Sequence, residues 1–156
     1  MFIKKFIRER LEQGLTELDN KKIVAGVLIK CRKTGNIFFL LRNDKRPIWS
    51  MVTGTIEKGE NVLGGLKREV YEELFLRESE VKIEFKFIRV EHLDKMLFHY
   101  YEGFVDNEFT PILDKENLNY VWTQPNHLPS PLYSGISEKV AQFSDKKTLE
   151  PISTLS

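Results

Sequence analysis

Hydrophobic positions recur at two periods along this chain, and the change from one to the other marks its elements. Ile23 to Cys31 and Ile37 to Leu41 are apolar, β-branched runs on either side of Lys33-Thr34-Gly35-Asn36. They predict a core hairpin that turns at Thr34-Gly35-Asn36. Val81 to Val90 and Met96 to Val105 alternate and predict two further strands around a turn at Glu91-His92-Leu93-Asp94-Lys95, and Tyr120-Val121-Trp122 predicts a short one. Between these groups the period lengthens: Leu63, Leu66, Val70 and Leu74 form an apolar stripe at helical spacing. The helical period also appears near both ends. Residues 2–15 interleave Phe2, Ile3, Phe6, Ile7 and Leu11 with Lys4, Lys5, Arg8 and Arg10, and Glu9 and Glu12 among them favour packing on the domain or on a second subunit over a membrane surface. Ser134 to Phe143 carries Ile136, Val140 and Phe143 on one face, after a loop punctuated by Pro125, Pro129 and Pro131. Strands before, between and after helices predict an α+β architecture with helices on both sides of a mixed sheet.

Length and composition narrow this picture without redirecting it. The 156 residues suit one domain, 1–156, with a helical extension over 1–20 and a tail over 145–156 that is poorly ordered or a subunit contact; a monomer or homodimer is expected. With 24 basic and 23 acidic residues the formal charge is +1, which exerts no global pull on nucleic acid or an anionic membrane, so any phosphate binding must be local. No apolar run is long enough to span a membrane, and Met1-Phe2-Ile3-Lys4-Lys5 lacks the core of a signal peptide, so a cytoplasmic location is expected. Cys31, the sole cysteine, reads as a buried strand residue. His92, His99 and His127 lack metal-type spacing and read as structural or surface groups.

The chemistry concentrates at Arg68-Glu69-Val70-Tyr71-Glu72-Glu73. A helix turns about 100° per residue, so Glu69, Glu72 and Glu73, spaced i, i+3 and i+4, converge beside the apolar stripe. Like charges so placed repel unless solvent, a basic partner or a cation offsets them, and carboxylates suit hard divalent cations such as Mg²⁺ or Mn²⁺, whose remaining positions accept phosphate oxygens. Gly64 and Gly65 are unusual inside a helix and read as permitting close backbone approach to the sheet. Arg42 follows a core strand and can reach a phosphate from a rigid element.

Gly54, Glu60 and the run Arg68-Glu69-Val70-x-Glu72-Glu73 together resemble the Nudix box, G-x5-E-x7-R-E-U-x-E-E-x-G-U, in which U is apolar. The resemblance implies an α/β/α sandwich and a metal-dependent pyrophosphohydrolase of a small-molecule phosphoanhydride. It also implies metal ligands Glu69, Glu72, Glu73 and the Gly54 carbonyl, with Arg68 orienting the carboxylates. The box glycine is replaced by Phe75. Phe adopts the left-handed conformation of a helix end only at a cost, so this helix is expected to end differently. The run Trp49-x-x-Val52-Thr53-Gly54-x-x-Glu57-x-Gly59-Glu60 resembles the W-x-x-V-T-G-x-x-E-x-G-E of the branch of that family acting on dihydroneopterin triphosphate, and Glu116 with Tyr120 and Trp122 resembles its E-H-x-x-Y-x-W, with Asn117 in place of the His. This closer resemblance implies that Glu116 adds a carboxylate to the metal cluster. It further implies substrate contacts from Arg42, Thr53, Lys22 (or Lys21) and Ser134, with Glu116 or a box residue such as Glu72 as general base. Other substrates, namely (d)NTPs, dinucleoside polyphosphates or RNA 5′ ends, and a catalytically silent nucleotide sensor remain competing readings.

Overall fold

A computed structural model describes residues 21–143; the expected N-terminal helix over 2–15 and the tail from 145 lie outside them. Seven strands form one mixed sheet: β1 (Lys22–Cys31), β2 (Ile37–Arg42), β3 (Ile48–Ser50), β4 (Val52–Thr55), β5 (Glu84–His92), β6 (Met96–Val105) and β7 (Asn117–Thr123). Their order is β3-β2-β1-β6-β5, with β4 added to β1 and β7 to β2; β1 and β6 run parallel, and the other pairs are antiparallel. The turn at 34–36 forms as expected, with Gly35 in the left-handed region at φ 75°. The strand expected over 81–90 is shifted to Glu84–His92, and β3 and β4 lie where the sequence pattern gave no strand, because each is too short to show alternation.

Side-chain alternation divides the sheet into two working faces. Ala25, Val27 and Ile29 point to one, where Leu66, Val70 and Leu74 of α1 (Val62–Glu73) cover them. Leu28, Met51 and Tyr100 point to the other, where Ile136, Val140 and Phe143 of α2 (136–143) cover them. That second helix begins two residues later than expected, at Ile136. The α/β/α expectation therefore holds. In β5 the register slips by one residue between Phe87 and Arg89, so that Arg89 and Glu91 stand opposite Tyr100 and Phe98 and share the α2 face.

Helix α1 starts at Asn61, whose Oδ1 accepts a hydrogen bond from the Gly64 N–H at 3.0 Å. Its end corrects an expectation. Phe75 does take the left-handed conformation, φ 52°, and the Leu76 and Phe75 N–H groups donate to the Tyr71 and Glu72 carbonyls, which is a Schellman closure built without glycine. Leu74, fully buried, and Leu76, packed on the same core, hold the chain on both sides of Phe75 and so outweigh a local cost of about 1–2 kcal/mol. No helix among the described residues is long and apolar enough to cross a membrane.

Candidate active site

Strand β4 delivers Gly54 directly against α1: a Cβ there would overlap the Glu69 side chain, with Glu69 Cβ at 2.6 Å. Glycine is thus required for the closest strand-to-helix approach in the site. The following loop is tied back onto the helix by Arg68, whose Nε and Nη2 donate to the Glu60 carboxylate at 2.8 and 3.0 Å. The Arg68 guanidinium, with the Glu57 N–H also donating to Glu60 Oε1, holds the Glu60 carboxyl down at about 2. Arg68 also donates to Glu69 at 3.1 Å and Glu72 at 3.4 Å. The close approach that Gly65 permits is to Glu60 and Ile56 of the loop and not, as expected, to the sheet; a Cβ at Gly64 would meet only Asn61 at ordinary contact distance, and the Gly64 N–H serves the cap.

A cavity of about 530 Å³ begins at this junction and runs under α2 along the second face of the sheet. At one end stand Glu69, Glu73 and Glu116 with Gly54 and Arg42. Burial raises the Glu73 pKa, opposed by the Asn117 hydrogen bond and the Arg42 charge and reinforced by Glu116 and Glu69. Asn117 Nδ2 donates to Glu73 Oε1 at 2.8 Å. A second register slip between Leu41 and Arg42 aligns Arg42 with Asn117, and the Asn43 N–H donates to the Glu116 carbonyl at 2.9 Å, so strand ends β2 and β7 present Arg42, Glu116 and Asn117 together. Farther along, Lys22, Thr53 and Ser134 line the same cavity. Ser134 and Tyr133 are brought there because the Trp49 N–H and carbonyl bond to Pro131 and Tyr133, which anchors the segment before α2 to β3.

Eight of the residues singled out from the sequence therefore share one cavity: Lys22, Arg42, Thr53, Gly54, Glu69, Glu73, Glu116 and Ser134. Two do not. Arg68 lies behind the carboxylates in its network with Glu60, and the Glu72 side chain, 66% exposed, turns outward beside it. Sequence reasoning missed the roles of Asn117, noted only as a replacement for His, and of Glu91, Lys139 and Phe98, which line the inner cavity. Only the β5 register and the docking of α2 bring those last three together.

The acidic end fits a hard divalent cation. All its donors are oxygens, and Asn117 Oδ1, beside Glu73, is buried without a hydrogen-bond partner, an acceptor that a cation or its water would satisfy. Among the described residues no three His, Cys, Asp or Glu side chains converge tightly enough to hold an ion. Clustered carboxylates that open onto basic and hydroxyl groups suit the hydrolysis of pyrophosphate-type bonds. The chain belongs to the Nudix family: the NUDIX domain matches residues 20–143, and the family generally uses divalent cations such as Mg²⁺.

It is similar to the dihydroneopterin triphosphate diphosphatase of Haemophilus influenzae, 28% identical over 111 residues that span 62% of this chain and 70% of that one. Its fold is shared by the dihydroneopterin triphosphate pyrophosphohydrolase of E. coli, with 19% identity, a TM-score of 0.63, and coverage of 79% of this chain and 96% of that one. It is also shared by an Ap4A hydrolase of C. elegans in a binary complex, with 17% identity, a TM-score of 0.66, and coverage of 81% and 98%.

Proposed function

We propose that this enzyme hydrolyses dihydroneopterin triphosphate to the monophosphate and pyrophosphate. The observation that carries the reading is the single cavity with carboxylates and Arg42 at one end and Lys22, Thr53 and Ser134 beyond them, which suits a triphosphate joined to a polar ring. The similarity to the Haemophilus influenzae diphosphatase supports it.

In this reading Glu69, Glu73, Glu116 and the Gly54 carbonyl would hold Mg²⁺ or Mn²⁺, and Glu72 would join them only by turning in from its contact with Arg68. The bound cation offsets phosphate charge and makes a water more acidic. Arg42 orients the phosphate chain by directional, charge-assisted hydrogen bonds. Glu116 lies on the cavity side and accepts the proton of the attacking water. Glu72 is turned outward and held by Arg68, so Arg68 positions Glu69 and Glu72 and touches no substrate. The Thr53 hydroxyl and Ser134 meet polar atoms of the substrate beyond the phosphates. A single catalytic domain in the cytoplasm, monomeric or dimeric, is part of the same proposal.

A substrate panel with Mg²⁺ and with Mn²⁺, scored by phosphate and pyrophosphate release, tests it. Dihydroneopterin triphosphate should show a higher kcat/KM than any common NTP, dinucleoside polyphosphate or triphosphorylated RNA end, with pyrophosphate as product. Thr53→Val should narrow that preference by about 1–3 kcal/mol, the cost of an unpaired buried polar group. A preference of about tenfold (~1.4 kcal/mol) for a dinucleotide or purine triphosphate would overturn the assignment and leave the Nudix chemistry standing.

A further inference from the structure

The inner end of the cavity holds a charged pair that the phosphate chemistry does not use. Lys139 of α2 is 7% exposed and lines the cavity together with Glu91 of β5. Its Nζ donates to both Glu91 oxygens at 3.1 Å, and Arg89 Nε donates to Glu91 Oε2 at 3.1 Å. The aromatic rings of Tyr100 and Phe98 lie 5.3 and 5.8 Å from the ammonium, so the lysine is confined on its apolar sides. An ammonium carries three donors, and a carboxylate offers about four acceptor sites. These hydrogen bonds leave a third donor on Lys139 and a fourth acceptor site on Glu91, and both residues line the cavity with Leu93, Met96 and Phe98.

We infer that the Lys139–Glu91 pair is the ring-reading element of this enzyme and selects the lactam edge of a heteroaromatic base, a ring C=O next to a ring N–H. Lys139 donates to the carbonyl and Glu91 accepts from the N–H, while Phe98 and Met96 take the ring's apolar surface. Pterin, guanine, hypoxanthine and uracil rings carry that edge. Adenine and cytosine present an unprotonated ring nitrogen beside an amino group, which sets an acceptor against Glu91 and a donor against Lys139. Arg89 is a positioning residue: it reaches Glu91 from the same strand and also donates to Gln142 of α2 at 3.2 Å, which keeps the carboxylate aligned with the helix. The inference deepens the proposed function, since it rests on that reading for the direction in which substrate lies.

The wild-type enzyme should hydrolyse GTP, ITP and UTP with kcat/KM at least about tenfold above ATP and CTP, irrespective of ring size, and dihydroneopterin triphosphate should fall with the lactam set. Replacing Glu91 alone leaves the buried Lys139 ammonium without its carboxylate partner and endangers the fold. The double change Glu91→Leu with Lys139→Met removes both charges together, which buried ion pairs tolerate far better. It should bring the lactam-to-amidine ratio down to within about threefold of unity and weaken fluorescence-detected binding of neopterin, which has no phosphate, by about tenfold. A wild-type ratio below threefold, or a folded double variant that keeps the wild-type ratio and neopterin affinity, overturns the inference. If lactam nucleotides are favoured but dihydroneopterin triphosphate is no better than GTP, the pterin assignment falls and the ring-reading pair stands. If dihydroneopterin triphosphate is preferred while the nucleotides are not discriminated, the outcome is the reverse.

Discussion

Glu73 carries the strongest conflict between fold stability and chemistry in the molecule. It is desolvated, lies near Glu69 and Glu116, and has its pKa raised by burial. Its ionised form therefore destabilises the fold at neutral pH and above. Glu73→Gln keeps an oxygen for Asn117 and removes the charge, so in excess chelator the variant should melt higher than the wild type. In Mg²⁺ its turnover should fall at least about a hundredfold, because the cation supplies several kcal/mol of transition-state stabilisation. Equal melting temperatures or full turnover would remove Glu73 from the metal site. Glu60 behaves in the opposite sense. With a folded-state pKa of about 2 against an ordinary 4.5, it stabilises the fold above about pH 4.5, and that contribution is lost as pH falls toward 2. Thermal melts of Glu60→Gln should be lowered at pH 7 and lose that part of the acid-limb slope seen in the wild type; an unchanged slope would show that the clamp with Arg68 is energetically idle. Both glutamates were visible in the sequence through their spacing. Asn117 was not assigned a role, because an amide in a strand has no periodicity that marks it as a carboxylate's partner.

Among the elements, α1 was the most legible: its apolar stripe, its acidic cluster and the glycine before it lie within one local run, and local runs are what periodicity reports. Its end was misread because the cost of a left-handed Phe75 is local, whereas the burial of Leu74 and Leu76 that overrides it is tertiary. Phe75→Gly relieves about 1–2 kcal/mol of backbone cost and forfeits about 0.5–1 kcal/mol through the freer unfolded chain. With the Phe75 side chain 62% exposed, little packing is lost. The variant should be more stable in urea by up to about 1 kcal/mol, with activity retained; clear destabilisation would mean that the exposed ring makes contacts that matter. Strands β3 and β4 escaped notice for a different reason. They are three and four residues long and are fixed by pairing to β2 and β1, not by a pattern of their own.

At the scale of the whole molecule, the sheet separates two tasks. The face under α1 supplies rigidity and the carboxylates at its edge, and the face under α2 supplies the cavity floor. Inorganic pyrophosphate with Mg²⁺ and neopterin without metal should occupy opposite ends. At about 100 times its Kd each should add about 2.7 kcal/mol, or about 5–10 °C of melting temperature for a chain of this size, with additive shifts and only the first abolished by chelator. Mutual exclusion of the two would refute the two-ended arrangement. The first end could be read from the sequence because one motif contains most of it, whereas the second depends on which face of β5 meets α2. The one-residue slip between Phe87 and Arg89 decides that question. In the register that holds before the slip, Ile88 and Val90 would stand opposite Tyr100 and Phe98 in place of Arg89 and Glu91, and aliphatic groups would replace the charged ones there. The facing of Arg89 and Glu91 toward α2 is thus set by the register of one strand pair, independently of α1, so the lining of this end of the cavity depends on strand alignment as much as on side-chain identity.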